Sequence, residues 1–200
     1  AYYDKLKAEY NYLSKKFNLQ PIDPAQWRFL RMRPQCFPYV RMAQLAMLYY
    51  SNHLNLSRLV EAHTIDELRD MMDISLGSYW QNHYSFADVE SKRGVKSLSK
   101  ATKDLVIINS VVPLLFAYGK YKADENMCQR AINFMEQTKA ERNSIITMWN
   151  EAGIECRSAS ESQAILKLTT RYCDAKDCLH CRFGYEYIKH TPSFLKETDK

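Results

Sequence analysis

The sequence predicts an all-α protein, and three observations carry that expectation. Apolar residues recur at three- and four-residue steps through most of the chain, the spacing that lines one face of a helix. Punctuation is scarce: 200 residues hold five glycines and six prolines, too few for many short strands joined by tight turns. Capping signals stand at the heads of several apolar runs. The expected architecture is a single compact multi-helical domain of about eight to ten helices spanning residues 1–200. Because the chain opens on Ala1 rather than Met, it reads as a fragment of a longer one.

The first helix follows from Tyr3, Leu6, Tyr10, Leu13 and Phe17 on one face, with lysines and Glu9 opposite. Pro21 and Pro24 stop it. A short segment, Gln26 to Met32, leads to Arg33-Pro34-Gln35-Cys36-Phe37-Pro38. Pro38 suits the first turn of a helix reaching about Asn52. That helix is apolar nearly all round (Val40, Met42, Ala43, Leu45, Ala46, Met47, Leu48) and is expected to be central and buried. Asn55 caps a short helix, and Thr64 with Glu67 forms a capping-box pattern ahead of Leu68, Met71 and Met72. Tyr79 to Tyr84 reads as a brief aromatic helix, and the polar residues 85–98 as the longest loop.

Ser99 is positioned to cap a long helix to about Lys122, which Pro113 must kink or divide because its ring displaces the bond to the Asn109 carbonyl. Met127, Ala131, Phe134 and Met135 keep helical spacing in the next helix. Ile145, Met148, Trp149 and Ala152 follow before Gly153, a helix-ending residue. Ser158 with Glu161 opens the last long helix, through Ile165, Leu168 and Tyr172. A shorter one, Leu179 to His190, precedes a polar tail.

Composition limits the function. Residues 1–50 carry eight Lys and Arg against three acids, which is the whole net charge of +5, and no carboxylate stands between Asp23 and Glu61. Arg28, Arg31, Arg33, Arg41 and Arg58 fall in that gap, the only strongly polarised stretch. The longest apolar run, Leu105 to Tyr118, is interrupted by Asn109, Ser110 and Pro113. It falls short of the roughly 20 residues a membrane span needs, so no membrane association is expected. With no export signal visible, the six cysteines read as reduced thiols in a cytoplasmic protein.

Three constellations carry candidate chemistry. Arg28, Arg31, Arg33 and Arg41 offer guanidinium forks that match phosphate oxygens, with Trp27, Phe29 and Phe37 interleaved for stacking on bases. The competing reading pairs these arginines with the acids at 61–73 and gives Arg41 an internal partner. Cys173, Cys178 and Cys181 hold a C-x2-C step; Cys156 or His180 is the candidate fourth ligand of a zinc ion, and Cys128 or Cys156 that of an iron–sulfur cluster. The alternative is that these thiols pack a helix corner. Tyr79, Trp80 and His83 share a helix face, but no carboxylate is marked to orient His83 as a base, so a satisfied core histidine is favoured. His53 and His63 carry no functional signal. There is no glycine-rich phosphate loop, no H-E-x-x-H and no G-x-S-x-G, which argues against an independent enzyme.

The run Trp27 to Pro38, continuing Arg41-Met42-Ala43-Gln44-Leu45-Ala46, resembles a family found mostly in Bacteroidetes and known as a domain of unknown function. The likeness continues through Tyr79-Trp80 with His83-Tyr84 and through Ile108 to Gly119, and ends at Tyr172-Cys173 with Cys178 to Cys181 and Gly184. The chain departs from the family pattern at Cys36, where Asn is expected, and at Tyr39, where Thr is expected. The resemblance implies that the chain matches the carboxyl-terminal half of a protein about twice as long. It also implies that the missing amino-terminal half is similar to the restriction-nuclease fold. The expected function is a non-catalytic helical accessory domain that binds phosphate or nucleic acid and partners its own missing half. A protein-interaction scaffold and a zinc or iron–sulfur domain are the alternatives.

Overall fold

The computed structural model describes residues 2–51, 55–87 and 89–190. Among them are ten α-helices and no strand beyond an isolated antiparallel bridge between Lys139 and Ser158. The all-α expectation holds. His53, the end of the second helix at Asn52, and the tail beyond His190 lie outside the described residues. The chain divides into two compact units, one through Lys103 and one from Asp104.

The first unit holds α1 (Tyr2–Phe17), α2 (Pro38–Tyr50), α3 (Leu56–Glu61), α4 (Ile65–Asp70) and α5 (Ser78–Asn82). Local chemistry sets their starts. Asn55 accepts from the Arg58 amide, and Thr64 from the Glu67 amide, while the Glu67 carboxylate accepts from the His63 amide at 2.9 Å. The His63 amide bond, with hydrogen bonds from Thr64, holds the Glu67 carboxyl below its ordinary range. The core gathers Val40, Leu48, Leu59, Ile65, Leu68, Met72 and Trp80.

Two expectations about this unit change. Helix α2 is not buried all round: Val40, Gln44 and Leu48 form one buried stripe, while Met42 and Leu45 are half exposed and Tyr49 and Tyr50 stand in solvent. Its apolar composition favours a buried helix but does not say which of its faces the rest of the chain covers. Helix α1 buries no residue. It is held at its first turn, where Tyr2 stacks on Tyr79 at 4.3 Å and Tyr3 meets Phe86 at 5.3 Å.

The second unit continues from α6 (Lys100–Lys122), whose first turn belongs to the first unit. It adds α7 (Glu125–Gln137), α8 (Ser144–Glu151), α9 (159–173) and α10 (Arg182–His190). Pro113 does not break α6. The preceding residues, Ile107–Val111, widen into a π turn in which the Val112 amide donates to the Ile107 carbonyl. This wider turn carries the chain past the proline, which has no amide to donate to Asn109. At 23 residues α6 is, by length and composition alone, long and apolar enough to cross a membrane. Core helices of globular proteins pass the same test, and α6 buries Ile107, Ile108, Val111, Val112 and Leu115.

Helices α6 and α7 form an antiparallel pair. Ala123 turns the chain in the left-handed region, and Asp124 caps α7 by accepting from the Met127 amide. Met127, Ala131 and Phe134 line the buried face of α7, and α9 packs on it. The Ser158–Glu161 capping box forms as its sequence pattern indicates. Replacing Ser158 by Ala is expected to cost about 1 kcal/mol. The reading is a lower urea midpoint at unchanged slope.

Candidate anion-binding site

The arginine segment is built by aromatic anchoring. Phe29 packs against Phe37 at 6.4 Å and Tyr39 at 5.1 Å, which ties the loop to the head of α2. Between these anchors the chain turns at Leu30 and Arg31, with Arg31 at φ 59°. Arg28, Arg31 and Arg33 are all exposed, and none forms an ion pair with a described residue. Three of the acids of 61–73 are engaged elsewhere. Asp66 pairs with Arg69 at 2.8 Å, Glu67 caps α4, and Asp73 pairs with Lys103 at 2.5 Å. The expected pairing of these arginines with that acidic stretch does not form.

Arg41 stands apart from the other three. It is half-buried, donating to Gln44 Oε1 at 2.9 Å and to Cys36 Sγ at 3.7 Å, so its internal partners are neutral. Gln44 donates in turn to the Lys96 carbonyl at 2.9 Å, pinning the segment before α6 against α2.

Lys96 is the residue that sequence reasoning missed. It is buried at 8% exposure, and its ammonium donates to the Trp80 carbonyl at 2.6 Å and the Ser91 hydroxyl at 3.5 Å, 4.0 Å from the Tyr84 ring centre. Burial lowers its pKa from the ordinary lysine value. The folded chain therefore binds this proton less readily than the unfolded one. The cost is fully present below the folded pKa and is relieved as pH rises through it toward the ordinary value near 10.4. Stability relative to Lys96→Met is expected to rise with pH across that window, measured by urea unfolding of both proteins. A difference that is flat with pH would show that the ammonium is not desolvated.

Residues 1–144 match a family model described as Protein of unknown function (DUF2851). That is well over half of the chain. The chain belongs to this family. No curated protein and no solved structure matches it.

The DUF2851 match includes the arginine segment, Arg41 and Lys96, and ends before the cysteine cluster. Cys173 and Cys178 are exposed, whereas Cys181 is buried. Burial and the nearby Cys181 and Cys178 raise the Cys173 thiol above its ordinary range. Cys156 lies in other company, raised by burial and by Glu161. Among the described residues no group of three or more His, Cys, Asp or Glu side chains is arranged to hold a metal ion. His180 points its Nδ1 to Asp177 at 2.5 Å. Gly184 closes the cluster tightly, because a Cβ there would lie 2.6 Å from the Cys178 carbonyl oxygen.

His83 is satisfied. It stacks on Tyr79 at 4.1 Å, and its Nδ1 sits 2.9 Å from the Tyr79 carbonyl and 3.0 Å from Asn82 Oδ1. Two acceptors on one nitrogen place the proton there.

Proposed function

We propose that this chain is a non-catalytic helical module of a bacterial cytoplasmic protein that binds nucleic acid through its phosphates. The observation that carries the reading is the exposure of Arg28, Arg31 and Arg33 on an aromatic-pinned loop, without carboxylate partners among the described residues. Exposed, uncompensated guanidinium groups attract a polyanion, and the half-exposed Phe29 beside them offers a stacking surface. Six free thiols support a reducing compartment. The bacterial source rests on the family resemblance.

The test is fluorescence anisotropy of the chain with labelled single- and double-stranded oligonucleotides across a salt series. Affinity is expected to fall steeply with salt. The R28Q/R31Q/R33Q variant should lower the log–log slope by about two to three, roughly 0.7–0.9 for each phosphate that is no longer neutralised. Salt-insensitive binding, no binding, or an unchanged slope in the triple variant would overturn the reading.

A second reading places a zinc ion or iron–sulfur cluster on Cys173, Cys178 and Cys181. It is supported by the nearness of the Cys178 and Cys181 sulfurs to that of Cys173. Elemental analysis of the untagged, anaerobically purified chain decides it: metal retained by wild type and lost in C178S/C181S supports it, and a metal-free folded chain removes it.

A further inference from the structure

A cavity of about 340 Å³ opens in the first unit beside α2, within the size range of small-ligand sites. Arg41, Gln44, Tyr84, Lys96, Ser99 and Thr102 contribute to its wall, which carries two cations and no carboxylate. Each cation is held only by neutral groups among the described residues. Arg41 rests on the Gln44 amide oxygen and the Cys36 sulfur, and Lys96 on the Trp80 carbonyl, the Ser91 hydroxyl and the Tyr84 ring.

Desolvating positive charge with no counter-charge is unfavourable, and folded proteins ordinarily compensate it. The same unit shows that ordinary solution nearby, where the buried Lys103 is paired with Asp73. Lys96 has no such partner among the described residues, and burial already disfavours its charged form.

A third feature meets the cavity at Ser99 and Thr102. Ser99 begins α6, its hydroxyl accepting from the Thr102 amide and its carbonyl from the Lys103 amide. The amides of Lys100 and Ala101 precede the first intrahelical bond of a 23-residue helix, where the backbone presents donors and partial positive charge.

From these features we propose that the cavity is a binding site for a single small oxyanion, inorganic phosphate or the phosphate group of a monoester. The anion would be clamped by Arg41 and Lys96 against the first turn of α6. The planar fork of Arg41 suits two phosphate oxygens, and the anion supplies the charge that the wall lacks. The site rests on other residues than the Arg28–Arg33 loop and takes one phosphate group rather than a row of them, so either proposal stands without the other.

Isothermal titration of inorganic phosphate into the full chain in low-chloride buffer tests it, with thermal unfolding alongside. The expected result is a one-site isotherm and a midpoint that rises with phosphate, as binding to the folded state alone requires. Arg41→Gln and Lys96→Gln should each weaken binding about tenfold or more, the scale of one charge-assisted hydrogen bond. The R28Q/R31Q/R33Q variant should bind phosphate as wild type does. Arg41→Lys, which keeps the charge and loses the fork, provides a milder variant whose folding is checked by circular dichroism.

No heat and no midpoint shift at millimolar phosphate would overturn the proposal. So would wild-type affinity in a folded Arg41 variant, or loss of phosphate binding in the loop variant alone. Displacement of bound phosphate by a sugar phosphate would support the cavity with a small molecule as the source. Displacement only by a 5′-phosphorylated oligonucleotide would support it with a nucleic-acid end.

Discussion

Replacing Phe134 by Ala is expected to destabilise the second unit by about 3–5 kcal/mol, the range found for deleting a fully buried aromatic ring. Phe134 is 1% exposed and follows Met127 and Ala131 on the face that α7 buries. Its backbone cannot easily shift to fill the space. The Phe134 carbonyl accepts both the Thr138 amide at 3.1 Å and the Thr138 hydroxyl at 2.7 Å, and the Thr138 carbonyl accepts the Ala159 amide at 2.7 Å. The residue therefore sits where α7 is fixed to the start of α9. Against a domain stability of about 5–15 kcal/mol, such a loss leaves little margin. Hydrogen exchange of second-unit amides under native conditions measures it. Protection falling by less than a factor of ten would show that the ring is not a core element.

Gly119→Ala is expected to destabilise the α6–α7 pair by about 1–3 kcal/mol, the scale of overpacking a tight contact. In an isolated helix the same change would stabilise by up to about 1 kcal/mol, so the sign of the result is informative. Packing wins here because a Cβ on Gly119 would lie 2.8 Å from the Cys128 sulfur and 3.1 Å from both the Cys128 amide nitrogen and the Asp124 carbonyl oxygen. The sulfur can rotate away, but the two backbone atoms belong to the capped start of α7. Adding Cys128→Ala should therefore restore only part of the loss, a coupling that a double-mutant cycle resolves. Full recovery in the double variant would assign the whole clash to the sulfur. Unchanged stability in the single variant would mean that the helices are not so closely seated.

Much of the fold was legible because helix starts are local. Asn55, Thr64 and Ser158 announce their helices through hydrogen bonds that span three residues, and each forms as its neighbours in the sequence indicate. The disturbance at Pro113 was legible for the same local reason, and it takes the form of a π turn at Ile107–Val111. The missing donor is visible in the sequence, while the π turn that accommodates it, with Ile107, Ile108 and Val111 buried, is seen only in the structure.

The candidate site divides along the same line. Arg28, Arg31 and Arg33 were legible as a basic stretch without acids, while their exposure, as against pairing with the acids at 61–73, is decided by the structure. Arg41 was placed with them by residue type, yet its side chain turns inward to Gln44 and Cys36. Lys96 carried no sequence signal. Its burial arises because the loop after α5 folds back over that helix, with the Ser91 amide on the Asn82 carbonyl and the Gly94 amide on the Gln81 carbonyl.

By itself, the sequence determined the all-α class, the capped helix starts and the membership of residues 1–144 in the DUF2851 family. Each of these rests on residue identity and short-range spacing. Only the tertiary structure decided that α2 buries one stripe, that Gly119 seats α6 on α7, and that a lysine without a counter-charge among the described residues borders a cavity. These depend on which distant segments exclude water from a side chain, and exclusion of water is a property of packing that spacing along the chain does not encode.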